Sequence, residues 1–436
     1  MLSKFQDHIK SKFPFLKDKK ILIAISGGID SVVLAHLCKQ SQLHIAFAHC
    51  NFNLRGYESD GDEDFVLQLA EDLDLEVFVE SFDTNAYAEE HKKSIQVAAR
   101  ELRYHWFVEL AEQLHFDYIL TAHHADDNLE TFLINLTRGT GLEGLTGIPE
   151  INGLFIRPLL PFSREDIEAY AKDHHITWRD DSSNASTKYV RNKLRHDVIP
   201  ILKHMNPSLL QSFENTINHL QESQGIIEES IDEFLNRALD IADNNVAKFK
   251  ISEFKSKNNP KAYLFEVFKD FGFTEWNDVL SLLDAQSGKQ LFSEQWRLIK
   301  DRAYLLLSEI AVEASESIRI SETDKKVDMP LGVLLFDEVE AISEASKQSM
   351  YVDKSKLKFP LIVRKWKEGD VFFPLGMSGK KKLSKYFKDE KLSLLDKEHT
   401  WLLCSGDDIV WVIGKRADNR FKVTENTKRV LKIELK

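Results

Sequence analysis

Residues 21–31 read Ile-Leu-Ile-Ala-Ile-Ser-Gly-Gly-Ile-Asp-Ser: an apolar run that stops at Ser26-Gly27-Gly28-Ile29-Asp30-Ser31. The residues that follow, Val32-Val33-Leu34-Ala35-His36-Leu37, have the content of a buried helix. A strand that ends at two glycines and turns into a helix gathers backbone N–H groups and a positive helix end at one point. That is a ready cradle for phosphate. Ser26 and Ser31 add hydroxyl donors, and Asp30 puts a carboxylate where a divalent cation on those phosphates needs one. No Gly-Lys-Ser/Thr follows, so the run is not a Walker A loop. A tight turn without a ligand is the plainer alternative for two glycines in isolation.

The flanking sequence repeats the same alternation. Strand-like runs at 21–25, 44–48, 76–79 and 118–121 are separated by helix-like runs at about 30–40, 59–73, 94–114 and 126–138. This predicts an α/β domain over residues 1–205, a doubly wound parallel sheet with right-handed crossovers. Ligands of such sheets bind at the carboxyl ends of the strands, where most of the motifs fall. After Pro200 the texture changes. Residues 206–340 read as a helical middle domain of amphipathic, acid-rich segments, a spacer without chemistry of its own. Residues 350–436 read as a small basic α+β domain with strands near 359–363, 400–403 and 409–413, and the polar stretch 343–349 reads as a linker.

Composition narrows the classes. A chain of 436 residues exceeds one ordinary core, and an apolar content of 43% is that of a globular protein. No apolar run approaches a membrane span, and Met1-Leu2-Ser3-Lys4-Phe5 has no secretory core. The three cysteines, Cys38, Cys50 and Cys404, are far apart and form no CxxC pair. That argues for a reducing, cytoplasmic setting and against a zinc or iron–sulfur site. The net charge is −12, yet residues 354–392 carry twelve Lys/Arg against four Asp/Glu. Between 222 and 254 the balance is eight acids to three bases. A concentrated basic block in an acidic chain is compatible with nucleic acid, since association follows the local field.

Other clusters join the first. Thr121-Ala122-His123-His124-Ala125-Asp126-Asp127-Asn128-Leu129-Glu130-Thr131 again lies where a strand opens into a helix. Its acids suit the helix dipole, but two histidines and three acids exceed what capping needs. Asp127 with Asp30 would make a two-carboxylate Mg²⁺ site completed by substrate phosphates. Gln96, Arg100 and Arg103 share one helical face, either a solvated basic face or donors aimed at a pyrophosphate. Arg138-Gly139-Thr140-Gly141-Leu142-Glu143-Gly144-Leu145 marks a close-approach loop or a flexible one, with Arg157-Pro158-Leu159-Leu160 after it. Asp180-Asp181-Ser182-Ser183-Asn184 precedes Tyr189-Val190-Arg191-Asn192-Lys193-Leu194-Arg195-His196, whose bases suit a phosphate backbone or a domain edge.

Taken singly, the SGGxDS pattern resembles the PP-loop of the N-type ATP pyrophosphatases, which cleave ATP to AMP and pyrophosphate. Taken in order, a longer set resembles the bacterial tRNA(Ile)-lysidine synthetases. It comprises SGGIDS, His49 and Arg55 of HCNFNLR, QVAARELRY, TAHHADDNLET, RGTGLEGL, RPLL, DDSSN and YVRNKLRH. Arg364-Lys365-Trp366-Lys367-Glu368-Gly369-Asp370, Gly379-Lys380-Lys381-Lys382-Leu383 and Val412-Ile413-Gly414 extend it. The match is strong over 20–200 and good over 355–436.

The resemblance implies ATP as substrate, Mg²⁺, free L-lysine and a tRNA(Ile) with a CAU anticodon. The wobble cytidine is adenylated on its C2 carbonyl oxygen, then attacked at C2 by the lysine amine. It implies Asp30, Arg103 and Asp127 as catalytic, with Asp30 and Asp127 on the metal. ATP would be held by Ser26, Gly27, Gly28, Ile29, Asp30, Ser31, His123 and Arg100. The tRNA would meet Arg191, Arg195, Lys380, Lys381 and Lys382. His123, His124 and Asp127 are candidates to accept the lysine proton. One departure stands out, because the family commonly has a second histidine where this chain has Phe52. A tRNA thiolase is the alternative within the PP-loop class, disfavoured by the scattered cysteines; a nucleotide-sensing RNA-binding module without chemistry is the third.

Overall fold

The computed structural model describes residues 1–179, 190–242, 246–310, 317–342, 346–377 and 379–436. The chain divides into two compact units, Met1–Glu229 and Ser230–Lys436. The first opens with α1 (Leu2–Lys12) and then alternates. Its elements are β1 (Lys20–Ala24), α2 (Ile29–Gln40), β2 (His44–Asn51), α3 (Tyr57–Asp72), β3 (Val77–Ser81), α4 (Thr84–Glu90), α5 (Ile95–Leu114), β4 (Tyr118–Leu120) and α6 (Ala125–Arg138). After α7 (Leu142–Leu145) come the hairpin β5 (Ile151–Asn152) and β6 (Phe155–Ile156), then α8 (Arg164–Asp173). Helices α9 (Val190–Lys193), α10 (Ile199–Met205) and α11 (Leu209–Ala238) follow, and a π-helical turn (Leu194–Val198) joins the first two.

The sheet order is β3-β2-β1-β4-β6-β5, parallel except for β5. Alternate residues of β1 explain why both faces need covering. Ile21 and Ile23 join a core with Val33, Leu37, Val66 and Ile167, so α2, α3 and α8 cover that face. Leu22 packs with Phe107, Leu110 and Ala111, so α5 covers the other. The order turns at β1, with β2 and β3 on one side and β4 on the other, so the loops after β1 and β4 leave the sheet side by side.

The second unit departs from the expected division. Residues 239–310 do supply short helices, α12 (Ile251–Lys255), α13 (Pro260–Phe268) and α14 (Trp276–Ser281). They also supply a five-stranded antiparallel sheet: β7 (Leu239–Ala242), β8 (Val246–Lys250), β9 (Gln290–Phe292), β10 (Trp296–Asp301) and β11 (Tyr304–Glu309). The aromatic and aliphatic core of Phe234, Phe249, Phe254, Phe268, Leu298 and Leu305 holds helix and sheet together.

The expected boundary near 350 shifts upstream as well. Strands β13 (Lys326–Met329), β14 (Gly332–Val339), β15 (Ser349–Asp353) and β22 (Val430–Leu435) form one sheet, so the expected linker joins two strands that flank β22. A second sheet runs β12 (Ile318–Ile320), β16 (Leu361–Lys365), β19 (Trp401–Ser405), β20 (Asp408–Val412) and β21 (Arg416–Ala417). The pair β17 (Val371–Phe372) and β18 (Lys381–Lys382) leads into α15 (Leu383–Asp389), and α16 (Leu394–Glu398) precedes β19. No helix among the described residues is long and apolar enough to cross a membrane.

Candidate active site

Gly27 sits at φ +85°, a conformation glycine adopts without penalty and which turns the chain away from β1. The Ser31 hydroxyl donates to Gly28 O at 2.9 Å and accepts from the Ser26 N–H at 3.2 Å, closing the loop on itself. Gly28 is the N-cap of α2 and offers no side chain to its first turn, so those N–H groups stay available to an anion. The Arg179 N–H donates to Gly27 O at 3.0 Å and ties the loop to the chain after α8.

Opposite lies the start of α6. The Asp127 carboxylate accepts from the His124 N–H at 3.2 Å. His124 is buried, and its Nε2 faces Asp127 Oδ2 at 3.4 Å and Asp30 Oδ1 at 3.7 Å, while its Nδ1 faces Asp126 Oδ2 at 3.8 Å and has no hydrogen-bond partner among the described residues. The two acids singled out in the sequence therefore converge on one imidazole nitrogen. Burial raises the proton affinity of Asp30 and the charge of Asp127 adds to it, against the pull of His124 and Arg164. Arg164 Nη1 donates to both Asp30 oxygens at 2.8 and 2.7 Å. The sequence reading missed Arg164. Its only local signal is the capping box of Ser163 and Asp166 that starts α8.

His123 bonds the Thr121 hydroxyl through Nδ1 at 3.0 Å. Burial, then the positive charges of Arg157, Arg191 and Arg100, bring its pKa down to about 4 despite Asp127. Arg100 and Arg103 are exposed on α5, and each is seated on an aromatic ring. Arg100 lies 4.7 Å from the centre of Tyr104 and Arg103 5.0 Å from that of Phe52.

Arg195 donates to the buried Glu130 at 2.6 and 3.0 Å and to Asp127 at 3.3 Å, and Arg191 donates to Thr131 at 2.7 Å. The two arginines among the five expected RNA contacts thus border the acid cluster. Their remaining neighbours in the motif, Asp180–Tyr189, lie outside the described residues. Lys203 pairs with Asp126 at 2.9 Å, so that acid is held by a cation and by the Arg164 N–H at 2.8 Å.

Among the described residues, no group of three or more His, Cys, Asp or Glu has the arrangement of a metal cage. Asp30 and Asp127, bonded here to Arg164 and Arg195, would be the two carboxylates for a Mg²⁺ that keeps phosphate oxygens and waters as its other ligands.

In the second unit the lysine triplet is divided. Lys380 and Lys382 are exposed, whereas Lys381 is largely covered and pairs with Asp389 at 2.8 Å. Cys38 and Cys404 are buried, and burial pushes the half-buried Cys50 thiol up to about 12. None of the three is set up as a thiolate nucleophile.

A glycine-turned loop at a switch point, facing paired carboxylates, defines an ATP-using enzyme of the PP-loop class. The PP-loop domain family matches residues 1–202, the TilS substrate binding domain matches 242–310 and the TilS substrate C-terminal domain matches 361–435. The tRNA(Ile)-lysidine synthase of Parabacteroides distasonis is 41% identical over 421 residues, 95% of each chain. That of Bacteroides thetaiotaomicron is 39% identical over 97% of each, and that of Clostridium perfringens 31% identical over 100% of this chain and 99% of the relative. The chain belongs to the tRNA(Ile)-lysidine synthase family.

Proposed function

We propose that this chain forms lysidine on tRNA(Ile), using ATP to ligate free L-lysine to C2 of the wobble cytidine of a CAU anticodon. The observation that carries the reading is the convergence of Asp30 and Asp127 on His124 beside an uncapped helix N-terminus. A cytosine C2 carbonyl is a poor electrophile, and adenylation turns its oxygen into a leaving group. The N–H groups of residues 29–31 cradle the triphosphate, and Ser26, which accepts from the Gly28 N–H, and Ser31 shape that cradle. Asp30 and Asp127 would hold Mg²⁺, which when bound neutralises charge on the departing pyrophosphate. Arg103, with no carboxylate within ion-pair distance among the described residues, would meet the same charge with planar donors. His123 is neutral at physiological pH and serves as a hydrogen-bonding group. Its low basicity argues against it as acceptor of the lysine proton and leaves His124 and Asp127 as the candidates. The base must leave its stack to reach this site, at a cost of a few kcal/mol that contacts to the tRNA offset.

Radiolabelled lysine, ATP, Mg²⁺ and purified minor isoleucine tRNA test the proposal, with methionine tRNA and a wobble-uridine transcript as controls. Label in the isoleucine tRNA alone, with AMP released in step, supports it. Turnover without lysine incorporation refutes it.

A further inference from the structure

Arg103 has an unusual environment for an exposed arginine. Its guanidinium carbon lies 5.0 Å from the centre of the Phe52 ring, and its charge acts on the nearby Cys50 thiol. Phe52 in turn stacks on Phe82 at 5.7 Å with the rings 21° from parallel, and Phe82 meets the edge of Trp106 at 6.3 Å. Trp106 stands on α5 one turn beyond Arg103, so the contacts that begin at the arginine return through Phe52 and Phe82 to its own helix.

The backbone of this corner is fixed too. Phe52 O accepts from the buried Thr84 hydroxyl at 2.9 Å, Phe82 N–H donates to Asn51 O at 2.8 Å, and the Asn53 amide donates to Phe82 O at 3.2 Å. A guanidinium held through its face keeps its N–H edges free for an anion, which a carboxylate partner would occupy. A hydrocarbon ring also carries no charge at any pH, so it never repels the cation it supports.

We infer that Phe52 is a positioning residue: its ring carries the Arg103 guanidinium so that its N–H edges face the pyrophosphate released in the adenylation step. The inference rests on the reading of Arg103 as the cation of that step. Phe52 acts on the leaving group through Arg103 and touches neither lysine nor tRNA. Its loss therefore appears in kcat, with KM for lysine and tRNA unchanged.

The test measures tRNA-dependent pyrophosphate release by the full-length protein across pH 5.5–9 for Phe52→Leu, Phe52→Tyr, Phe52→His and Arg103→Ala, each checked by thermal unfolding. Phe52→Leu, which keeps an apolar side chain but no ring, is expected to lose roughly two- to fivefold in kcat, the scale of one cation–π contact at an exposed site. Phe52→Tyr restores the rate. Phe52→His works at alkaline pH and fails more steeply than the parent chain below about pH 6.5, where the imidazolium repels Arg103. Equal kcat for Phe52→Leu and the parent, or a Phe52→His profile parallel to the parent's, overturns the inference while a defective Arg103→Ala leaves the reading of Arg103 standing. A fully active Arg103→Ala removes that reading, and the role of Phe52 falls with it. Should Phe52→Leu unfold, the pH profile of Phe52→His, which keeps a flat ring, decides alone.

Discussion

Asp30, proposed above to hold the metal, shows how a site carboxylate can work against the stability of its own fold. Its proton affinity is raised by burial first and by Asp127 next. A carboxyl that binds its proton more tightly in the folded chain than in the unfolded one detracts from stability wherever it is ionised, above its unfolded pKa of about 3.9. Asp30→Asn should therefore raise the melting temperature at pH 7.5 by a degree or two while lowering AMP formation at least ~100-fold. The thermal gain should shrink as the pH falls toward 4. Retained turnover would remove Asp30 from the metal site, and a loss of several degrees would mean that its bond to Arg164 outweighs its burial. His123 has the opposite sign. Its folded pKa, about 4, lies below the ordinary value of 6.5, so the unfolded chain binds more protons between those values. Stability falls as the pH drops through that window, by on the order of 2–3 kcal/mol. His123→Gln should flatten the acid limb of thermal stability between pH 6.5 and 4, and an unchanged limb would assign it to other groups.

Local elements were legible where one short stretch dictates its own geometry. The strand, two glycines and helix of residues 21–37 are such a case, since Gly27 at φ +85° is a demand that few other residues meet. Gly27→Ala adds a Cβ 3.4 Å from the Phe65 ring and strains the loop by about 1–2 kcal/mol. The strain should appear as at least a tenfold rise in KM for ATP; an unchanged KM would mean that the loop does not hold phosphate.

What escaped the sequence is what depends on distant partners. Arg164 meets Asp30 across 134 positions, and nothing near either residue announces the other. The sheet of β7–β11 was hidden because strands as short as Val246–Lys250 alternate weakly and stand in acid-rich, helix-like surroundings. Residues 343–349 are polar, as a linker would be, but polarity marks a surface connection without revealing that the strands on either side both pair with β22. The acids of the α6 start were legible as a cluster; that Asp127 and Asp30 face one imidazole required the strand order.

At the scale of the whole chain, a protein of net charge −12 must attract a polyanion through a local field. The basic segment 354–392 supplies one, but its lysines are unequal. Lys381 answers Asp389 and lies 5.7 Å from the Tyr386 ring, whereas Lys380, Lys382, Lys385 and Lys388 stand exposed around α15. Replacing Lys380 and Lys382 by alanine should weaken tRNA binding and flatten its salt dependence, by about 0.7–0.9 in log–log slope for each phosphate no longer neutralised. KM for ATP should not change, since no residue of the PP-loop is altered. Lys381→Ala removes an internal pair instead, so its effect should fall on thermal stability, by less than ~1 kcal/mol. The two variants therefore separate the field from the fold. If Lys381→Ala alone flattens the salt slope to the same degree, the exposed lysines do not hold the tRNA. If the double variant binds tRNA with the parent slope, the basic segment serves solubility and the polyanion is held elsewhere.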